Sequence, residues 1–312
     1  MKRRRFLADL SAGAVGSSLA TLRMSSAQAE ERKSTFVFVH GAWFGGWCWS
    51  EVVRLLAQQG HNAVAVDLPG HGISARFPAA YLTTPQSPAS LSTEVSPLAT
   101  ITLRDYRDHV LRIINGLVGK GSGPVILVGH SLGGVTLNAV AEAEPSLIRR
   151  LVYLTAFAPV RKPSVLDYLS QPNFVASKLL PLFLGDPSRL GAARINPNSN
   201  DPTYTSNAKN ALFQDATENA VAATLNLMTP DEPLHGLADD ATVTAGRWGS
   251  VPRAYIRCTN DNAIPLAGQD QMIAEGDELT PRNRYIQKCI DSSHSAFLSH
   301  ADEVTQVLLQ IV

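Results

Sequence analysis

Cysteine is scarce in this sequence, with three among 312 residues. An odd number cannot pair completely within one chain, so the sequence carries no disulfide framework. No Cys/His spacing resembles a metal site either. We expect Cys48, Cys258 and Cys289 to be small buried hydrophobic residues. The last two each fall near the end of a predicted strand, so a single bridge between them is the alternative in an oxidising compartment.

An excess of charge of either sign is also lacking. The chain has 27 Lys and Arg against 27 Asp and Glu, and no basic run outside its extreme N-terminus. Nothing in it would attract a phosphate backbone, so we expect no nucleic-acid partner. No later stretch is long and apolar enough to span a bilayer, so no membrane span is expected. Hydrophobic residues make up 45% of the chain, which suits the core of one large domain.

The first 29 residues have the pattern of an export signal. A basic run at 2–5 precedes a moderately apolar stretch at 10–22, and a small-x-small cleavage site follows at 27–29. Residues 3–7, Arg-Arg-Arg-Phe-Leu, resemble the twin-arginine signal, and the weak hydrophobicity favours that route over an ordinary secretory signal or a disordered tail. We predict a periplasmic or secreted protein of residues 30–312. Its net charge is −4, because the signal carries five basic residues against one acidic residue in a chain of net charge zero.

Strand patterns alternate with helix patterns through the rest of the chain, around an irregular middle. Strands are predicted at 35–39, 62–67, 125–128, 150–155, 253–258 and 284–289, and helices at 50–59, 103–117, from Ser131 to about 143, at 210–226 and at 300–312. This alternation predicts an α/β fold with a doubly wound, mostly parallel sheet. We expect a long loop at 74–100, and a helical cap insertion at about 158–248 over the carboxyl ends of the strands, where ligands bind in such sheets.

The most informative motif is Gly-x-Ser-x-Gly at residues 129–133, directly after an apolar β-branched run. A strand that leads into this pattern and a helix that follows it are the context of a serine nucleophile on a sharp turn. The turn is tight enough to need small residues at Gly129 and Gly133, and it strains the serine backbone. We therefore predict that Ser131 is a nucleophile rather than a buried serine in a glycine-rich turn.

A serine hydroxyl needs a base to take its proton and a carboxylate to orient that base. Asp261 follows the predicted strand 253–258, and His294 lies between the last predicted strand and the closing helix. The chain order Ser131, Asp261, His294 is that of a catalytic triad on an open α/β sheet. We expect the side chain of His130 to point away from the attack site. Less well placed alternatives for the acid and the base are Asp270, Asp291 and His300.

The oxyanion formed on attack needs two backbone N–H donors. Leu132 supplies one at the positive end of the next helix, and Ala42, in the loop after the first strand, is our choice for the other. His40-Gly41 would let that loop approach closely. We expect an apolar substrate pocket, although Trp43 and Phe213 fit a plain core role equally well. The expected pocket residues are Trp43, Leu132, Phe174, Phe213 and Met228.

Together these residues resemble the α/β-hydrolase superfamily. Four blocks narrow the likeness to one branch, the plant methyl-salicylate and methyl-jasmonate esterases with the related hydroxynitrile lyases and bacterial pyrethroid-ester hydrolases. The blocks are residues 36–43 together with 46–49, residues 128–134, residues 247–253 and residues 258–265. The likeness covers most of 35–312 but is thin in 74–100 and 160–205. The lyases of this branch place a Lys directly after the catalytic His, where this chain has Ser295, so the resemblance favours an esterase.

We therefore predict a serine carboxylic-ester hydrolase that acts on a small hydrophobic or aromatic ester through an acyl-enzyme and needs no cofactor. A lactone hydrolase, an amide hydrolase or a hydroxynitrile lyase on the same triad is the alternative. A non-catalytic module that binds a small molecule is the alternative of a different class. The expected partner is the small ester itself, and the sequence leaves a homodimer open.

Overall fold

A computed structural model describes residues 33–312, and the predicted export signal lies outside them. Six strands form one sheet in the order β2-β1-β3-β4-β7-β8, and all neighbouring pairs are parallel. The two remaining strands, β5 and β6, pair antiparallel in a small separate sheet. The strands are β1 Thr35–Val39, β2 Asn62–Val66, β3 Val125–Ser131, β4 Ile148–Ala156, β5 Ala192–Arg194, β6 Asp231–Pro233, β7 Arg253–Cys258 and β8 Ile286–Ile290.

Helices connect the strands, as the alternation in the sequence predicts. They are α1 Ser50–Gln58, α2 Ala79–Leu82, α3 Pro88–Leu91, α4 Leu103–Val118, α5 Gly133–Ala143, α6 Val165–Leu169, α7 Pro187–Leu190, α8 Pro202–Leu212, α9 Glu218–Leu227, α10 Leu234–Ala238, α11 Leu266–Leu279, α12 Ala296–Ser299 and α13 Ala301–Gln310. Within residues 33–312, none of these is long and apolar enough to cross a membrane. The α/β fold with a mostly parallel sheet is confirmed.

The neighbouring inner strands β1 and β3 are buried along their whole length. Both are nearly continuous apolar runs, which is the composition expected where helices cover both faces of a parallel sheet. From β1 the chain moves outward to β2, whereas from β3 it moves the other way to β4. The carboxyl ends of β1 and β3 therefore flank the point where the winding reverses, which is where open α/β sheets bind ligands.

The stretch between β4 and β7, residues 157–252, holds α6 to α10 and the β5–β6 pair, and we call it the cap segment. The single helix expected at 210–226 is wrong. Two helices occur there, because Phe213 leaves helical geometry with φ −144° and the Thr217 side chain caps the start of α9. The loop expected at 74–100 likewise contains α2 and α3. The strand predicted at 125–128 extends to Ser131, and the bounds of the other predicted elements agree within about two residues.

The cysteines do not form a bridge. Cys48 and Cys258 are buried, but Cys289 is exposed, so the expectation that all three are buried is wrong for Cys289. In the β7–β8 register Cys258 lies opposite Ile290, whereas Cys289 lies opposite Arg257. Neighbouring residues of a strand point to opposite faces, so the two thiols lie on opposite sides of the sheet and cannot meet.

Candidate active site

Ser131 is the last residue of β3, and Leu132, the N-cap residue of α5, follows it. Its φ is +52°, a left-handed conformation that a side chain-bearing residue adopts only where its surroundings enforce it. The surroundings are crowded. A Cβ on Gly133 would lie 2.6 Å from the His40 carbonyl oxygen, and one on Gly129 would lie 2.7 Å from the Leu137 side chain. The glycines of the motif are therefore needed for this close approach.

His294 and Asp261 come together although 33 residues separate them. The Nδ1 atom of His294 lies 2.6 Å from Oδ2 of Asp261, and both side chains are buried. Asp261 follows β7 and His294 follows β8, so the parallel pairing of these strands brings their carboxyl ends to one edge. A buried imidazole bonded through Nδ1 to a carboxylate has its other nitrogen, Nε2, oriented for proton transfer.

Three further donors hold the Asp261 carboxylate. Its Oδ1 accepts hydrogen bonds from the backbone N–H groups of Ala263 and Ile264, at 2.6 and 2.8 Å. Its Oδ2 accepts one from the Thr155 hydroxyl, at the end of β4. These hydrogen bonds restrict the rotation of the carboxylate and hold it against His294. Thr155 was not anticipated from the sequence, because nothing local marks a threonine on one strand as the partner of an acid after another strand.

His130 links the nucleophile strand to the loop that carries His294. Its Nε2 lies 3.0 Å from the His294 carbonyl oxygen, and the two imidazole rings are 4.5 Å apart. Burial, reinforced by the neighbouring His294, lowers the pKa of His130 well below its usual range. His130 is therefore neutral and serves as a contact to the His294 backbone. This contact ties the base to the strand of Ser131.

The two predicted oxyanion donors flank Ser131. Leu132 directly precedes α5, so its N–H is among the groups that have no acceptor within a helix. On the other side, a Cβ placed on Gly41 would lie only 2.7 Å from the Ser131 Cβ. The loop after β1 thus runs directly against the serine, with Ala42 as its next residue. That these two N–H groups bind the oxyanion stays a prediction. The placement of the two segments beside Ser131 is consistent with it.

The aromatic and Met residues predicted for the pocket are all buried. Phe174 stacks on Phe157, whose N–H donates to the Ser131 carbonyl oxygen. Phe213 packs edge-on against Phe44. Trp43 contacts Phe183 and donates its indole N–H to the Ala193 carbonyl oxygen. Ser131 itself is 5% exposed, so the site is nearly closed in this structure. The pocket role of Trp43, Phe174, Phe213 and Met228 stays a prediction.

The competing acids and the competing base have other partners. Asp270 pairs with Arg257, at 2.6 Å, and Asp291 accepts hydrogen bonds from the side chains of Thr259 and Asn260. The ring of His300 lies 2.9 Å from the Ser299 hydroxyl oxygen. Among residues 33–312, no group of three or more His, Cys, Asp or Glu side chains is arranged to hold a metal ion.

A second buried polar cluster was not anticipated. Glu232, at the centre of β6, lies 3.0 Å from Nε2 of His71 and accepts a hydrogen bond from the Tyr106 hydroxyl at 2.9 Å. It also accepts one from the Trp43 backbone N–H at 3.3 Å. Only the unusual pair of acids in Asp231-Glu232-Pro233, a buried strand, would have been a signal in the sequence.

A sequence profile of the alpha/beta hydrolase family matches residues 36–307. Methylesterase 11 of Arabidopsis thaliana is 31% identical over 284 residues, which cover 88% of this chain and 63% of that protein. This chain thus spans less than two thirds of that relative. Methylesterase 1 of Arabidopsis thaliana is 31% identical over 251 residues, 78% of this chain and 84% of that protein. The crystal structure of polyneuridine aldehyde esterase has a TM-score of 0.67 at 26% identity, and the match covers 89% and 99% of the two chains.

Proposed function

Because this chain belongs to the alpha/beta hydrolase family, we propose that it hydrolyses carboxylic esters through an acyl-enzyme formed on Ser131. The buried 2.6 Å contact between His294 and Asp261, at the sheet edge where Ser131 ends β3, carries the proposal. A serine nucleophile, an imidazole base and an orienting carboxylate are the groups that acyl transfer needs.

In the first half-reaction the Ser131 hydroxyl oxygen attacks the ester carbonyl carbon while Nε2 of His294 takes the hydroxyl proton. Asp261 stabilises the imidazolium and keeps Nδ1 of the ring protonated. The backbone N–H groups of Ala42 and Leu132 donate hydrogen bonds to the oxyanion of the tetrahedral intermediate. His294 then returns the proton to the leaving alcohol oxygen, the carbon–oxygen bond breaks, and the acyl group stays on Ser131.

In the second half-reaction water replaces the alcohol. His294 takes a proton from the water, the resulting hydroxide attacks the acyl carbon, and Ser131 leaves with the proton that His294 returns. The products are the free acid and the regenerated enzyme, so the cycle needs no cofactor. Buried aromatic and aliphatic side chains near the site favour a small hydrophobic or aromatic ester. The relatives named methylesterases support a methyl ester as the first substrate class to assay.

The experiment compares wild type, Ser131→Ala and Ser206→Ala on short-chain p-nitrophenyl esters and on methyl esters of aromatic acids. Ser206 is an exposed serine of α8 and serves as the matched control. We expect Ser131→Ala to lower kcat by about 10⁴-fold or more, and Ser206→Ala to match wild type. Equal rates for wild type and Ser131→Ala would refute the serine mechanism. Tight binding of a hydrophobic ligand without turnover by wild type would favour the binding-module alternative.

We also propose that the mature protein is exported by a twin-arginine type signal and begins at Glu30. The pattern of basic, apolar and small residues at 1–29 supports this. In a bacterial host, wild type should yield periplasmic or secreted protein whose N-terminus, by mass spectrometry, is Glu30. Replacing Arg3, Arg4 and Arg5 together by Lys should retain the uncleaved chain in the cytoplasm. Export of that triple variant at the wild-type level would contradict the twin-arginine route.

A further inference from the structure

The loop after β1, residues 40–44, passes between Ser131 and the cap segment, and we call it the oxyanion loop. We propose that Glu232 is a positioning residue that holds the oxyanion loop in its active shape from the cap segment. The inference rests on the proposed function, since it concerns the N–H group that Ala42 offers to the oxyanion. It explains a buried acid that the triad mechanism leaves unused.

The cap segment forms three hydrogen bonds with Trp43. Its N–H donates to Oε2 of Glu232, at 3.3 Å. Its carbonyl oxygen accepts a hydrogen bond from the Thr229 N–H, at 2.9 Å. Its indole N–H donates to the Ala193 carbonyl oxygen, at 2.8 Å. All three partners belong to β5, β6 or the residues just before β6.

The backbone conformation of Trp43 requires these contacts with the cap segment. Its φ is +65°, in the left-handed region, which is strained for a bulky residue and persists only where surrounding contacts enforce it. Trp43 directly follows Ala42, so the contacts that anchor Trp43 hold one end of the segment that carries the Ala42 N–H group. On the opposite side Gly41 runs against Ser131. The oxyanion loop is thus located by the serine on one side and by the cap segment on the other.

Polar side chains surround the Glu232 carboxylate. A bare carboxylate at this depth would be costly, and it would oppose the negative charge that develops on the oxyanion. His71 lies 3.0 Å away, and the Tyr106 hydroxyl donates to the other carboxylate oxygen. Burial disfavours the charged form of His71, but the Glu232 carboxylate outweighs burial and raises the pKa of the ring. His71 and Tyr106 thus give each carboxylate oxygen of Glu232 a polar partner.

The other ionisable groups around His71 do not compete for Glu232. His40 packs with its ring 5.1 Å from that of His71, and burial together with His71 lowers the pKa of His40 to about 3, so His40 is neutral. Asp67 is occupied by the backbone N–H groups of Gly46 and Ile73, at 2.6 and 3.0 Å. Asp231, the neighbour of Glu232, is paired with Arg194.

The test uses Glu232→Gln and Glu232→Ala, with Glu275→Gln as a matched control. Glu275 is also a buried glutamate that accepts a tyrosine hydroxyl, from Tyr168, but it lies on α11. For each variant, kcat and KM are measured with a p-nitrophenyl ester, together with the inhibition constant of a trifluoromethyl ketone that forms an oxyanion on the serine. Thermal unfolding monitors the fold.

We expect kcat to fall about 10-fold for Glu232→Gln and about 100-fold for Glu232→Ala, with KM changed less than about threefold, because only transition-state binding is lost. The inhibitor should weaken by the same factors as kcat. Glu275→Gln should keep the wild-type kcat. If Glu232→Ala does not fold, the isosteric Glu232→Gln decides the outcome.

An unchanged kcat in Glu232→Gln, or an equal loss in Glu275→Gln, would overturn the inference and leave Glu232 a structural residue. A loss that appears in KM alone would overturn it as well. The proposed function fails separately, if Ser131→Ala keeps its activity. When Ser131→Ala is inactive and both Glu232 variants match wild type, only the role of Glu232 is refuted.

Discussion

At the scale of single residues, the site depends on how closely backbone segments approach Ser131. Gly41 has an ordinary backbone conformation, so its importance is steric alone. A Cβ at this position would lie 2.7 Å from the Ser131 Cβ and 2.9 Å from Nδ1 of His130. Neither neighbour can move freely, because Ser131 is fixed by the sharp turn and His130 contacts the His294 loop.

Gly41→Ala is therefore expected to push the oxyanion loop away from the serine. We expect kcat/KM to fall about 10²- to 10³-fold, the loss typical of removing one oxyanion donor, in a folded protein. Steady-state kinetics with a p-nitrophenyl ester and circular dichroism measure the two effects. Gly116→Ala is the control, because a Cβ there meets nothing within 4 Å. Wild-type activity in Gly41→Ala would show that the loop does not supply a donor.

At the scale of elements, the break between α8 and α9, residues 213–217, has a structural role that the sequence pattern does not indicate. The break presents Asp215 to the loop that carries His294. Asp215 accepts hydrogen bonds from the Ser293 N–H, at 2.8 Å, and from the Ser292 hydroxyl, at 3.0 Å, as well as from the Ser293 hydroxyl. The cap segment thus contacts both the loop of the base, through Asp215, and the oxyanion loop, through Glu232.

Asp215→Asn should destabilise the protein in a pH-dependent way. Burial alone would raise the pKa of Asp215, but the hydrogen bonds from Ser293 and Ser292 outweigh it and lower the pKa below the ordinary 3.8. A lowered pKa contributes stability that is present above the unfolded-state pKa and is lost as pH falls through the folded-state pKa. Urea unfolding should show a deficit of about 1.5 kcal/mol in the variant at pH 7.

Urea unfolding of wild type and Asp215→Asn, repeated at pH values down to 3, tests the direction of this pH dependence. The deficit of Asp215→Asn should shrink as pH falls below the ordinary value of 3.8, because wild type then protonates the same carboxyl. A deficit that stays constant from pH 7 to pH 3 would mean that the variant loses packing rather than a charged acceptor.

At the scale of the whole molecule, the two neighbouring acids of β6 tie distant parts of the chain together. Asp231 forms a paired, buried contact with the Arg194 guanidinium, at 2.6 and 2.7 Å. Arg194 in turn donates to the carbonyl oxygens of Leu91 and Glu94, at 2.7 and 2.8 Å. Arg194 thus joins the long connection between β2 and α4 to the cap segment. Removing one partner of its buried ion pair is expected to cost about 3–5 kcal/mol. That connection has no periodicity in its sequence.

Local pattern was sufficient to predict the sheet strands and the candidate triad. The apolar run before Ser131 and the glycines around it describe a turn whose parts are neighbours in the chain, and strand ends indicate where Asp261 and His294 must lie. The helix predicted at 210–226 was wrong because Phe213 takes a core position and Thr217 caps a new helix, and burial overrides helical periodicity.

By itself, then, the sequence determined the parallel α/β sheet, the sharp turn at Ser131 and the order of the candidate triad, since each depends on residues that are close along the chain or on the ends of strongly apolar strands. Only the tertiary structure decided which cap residues contact the site. Glu232 and Trp43 are 189 residues apart, and Asp215 and Ser293 are 78 apart. Contacts between such distant residues are selected by the packing of the whole domain and leave no periodic trace in the sequence.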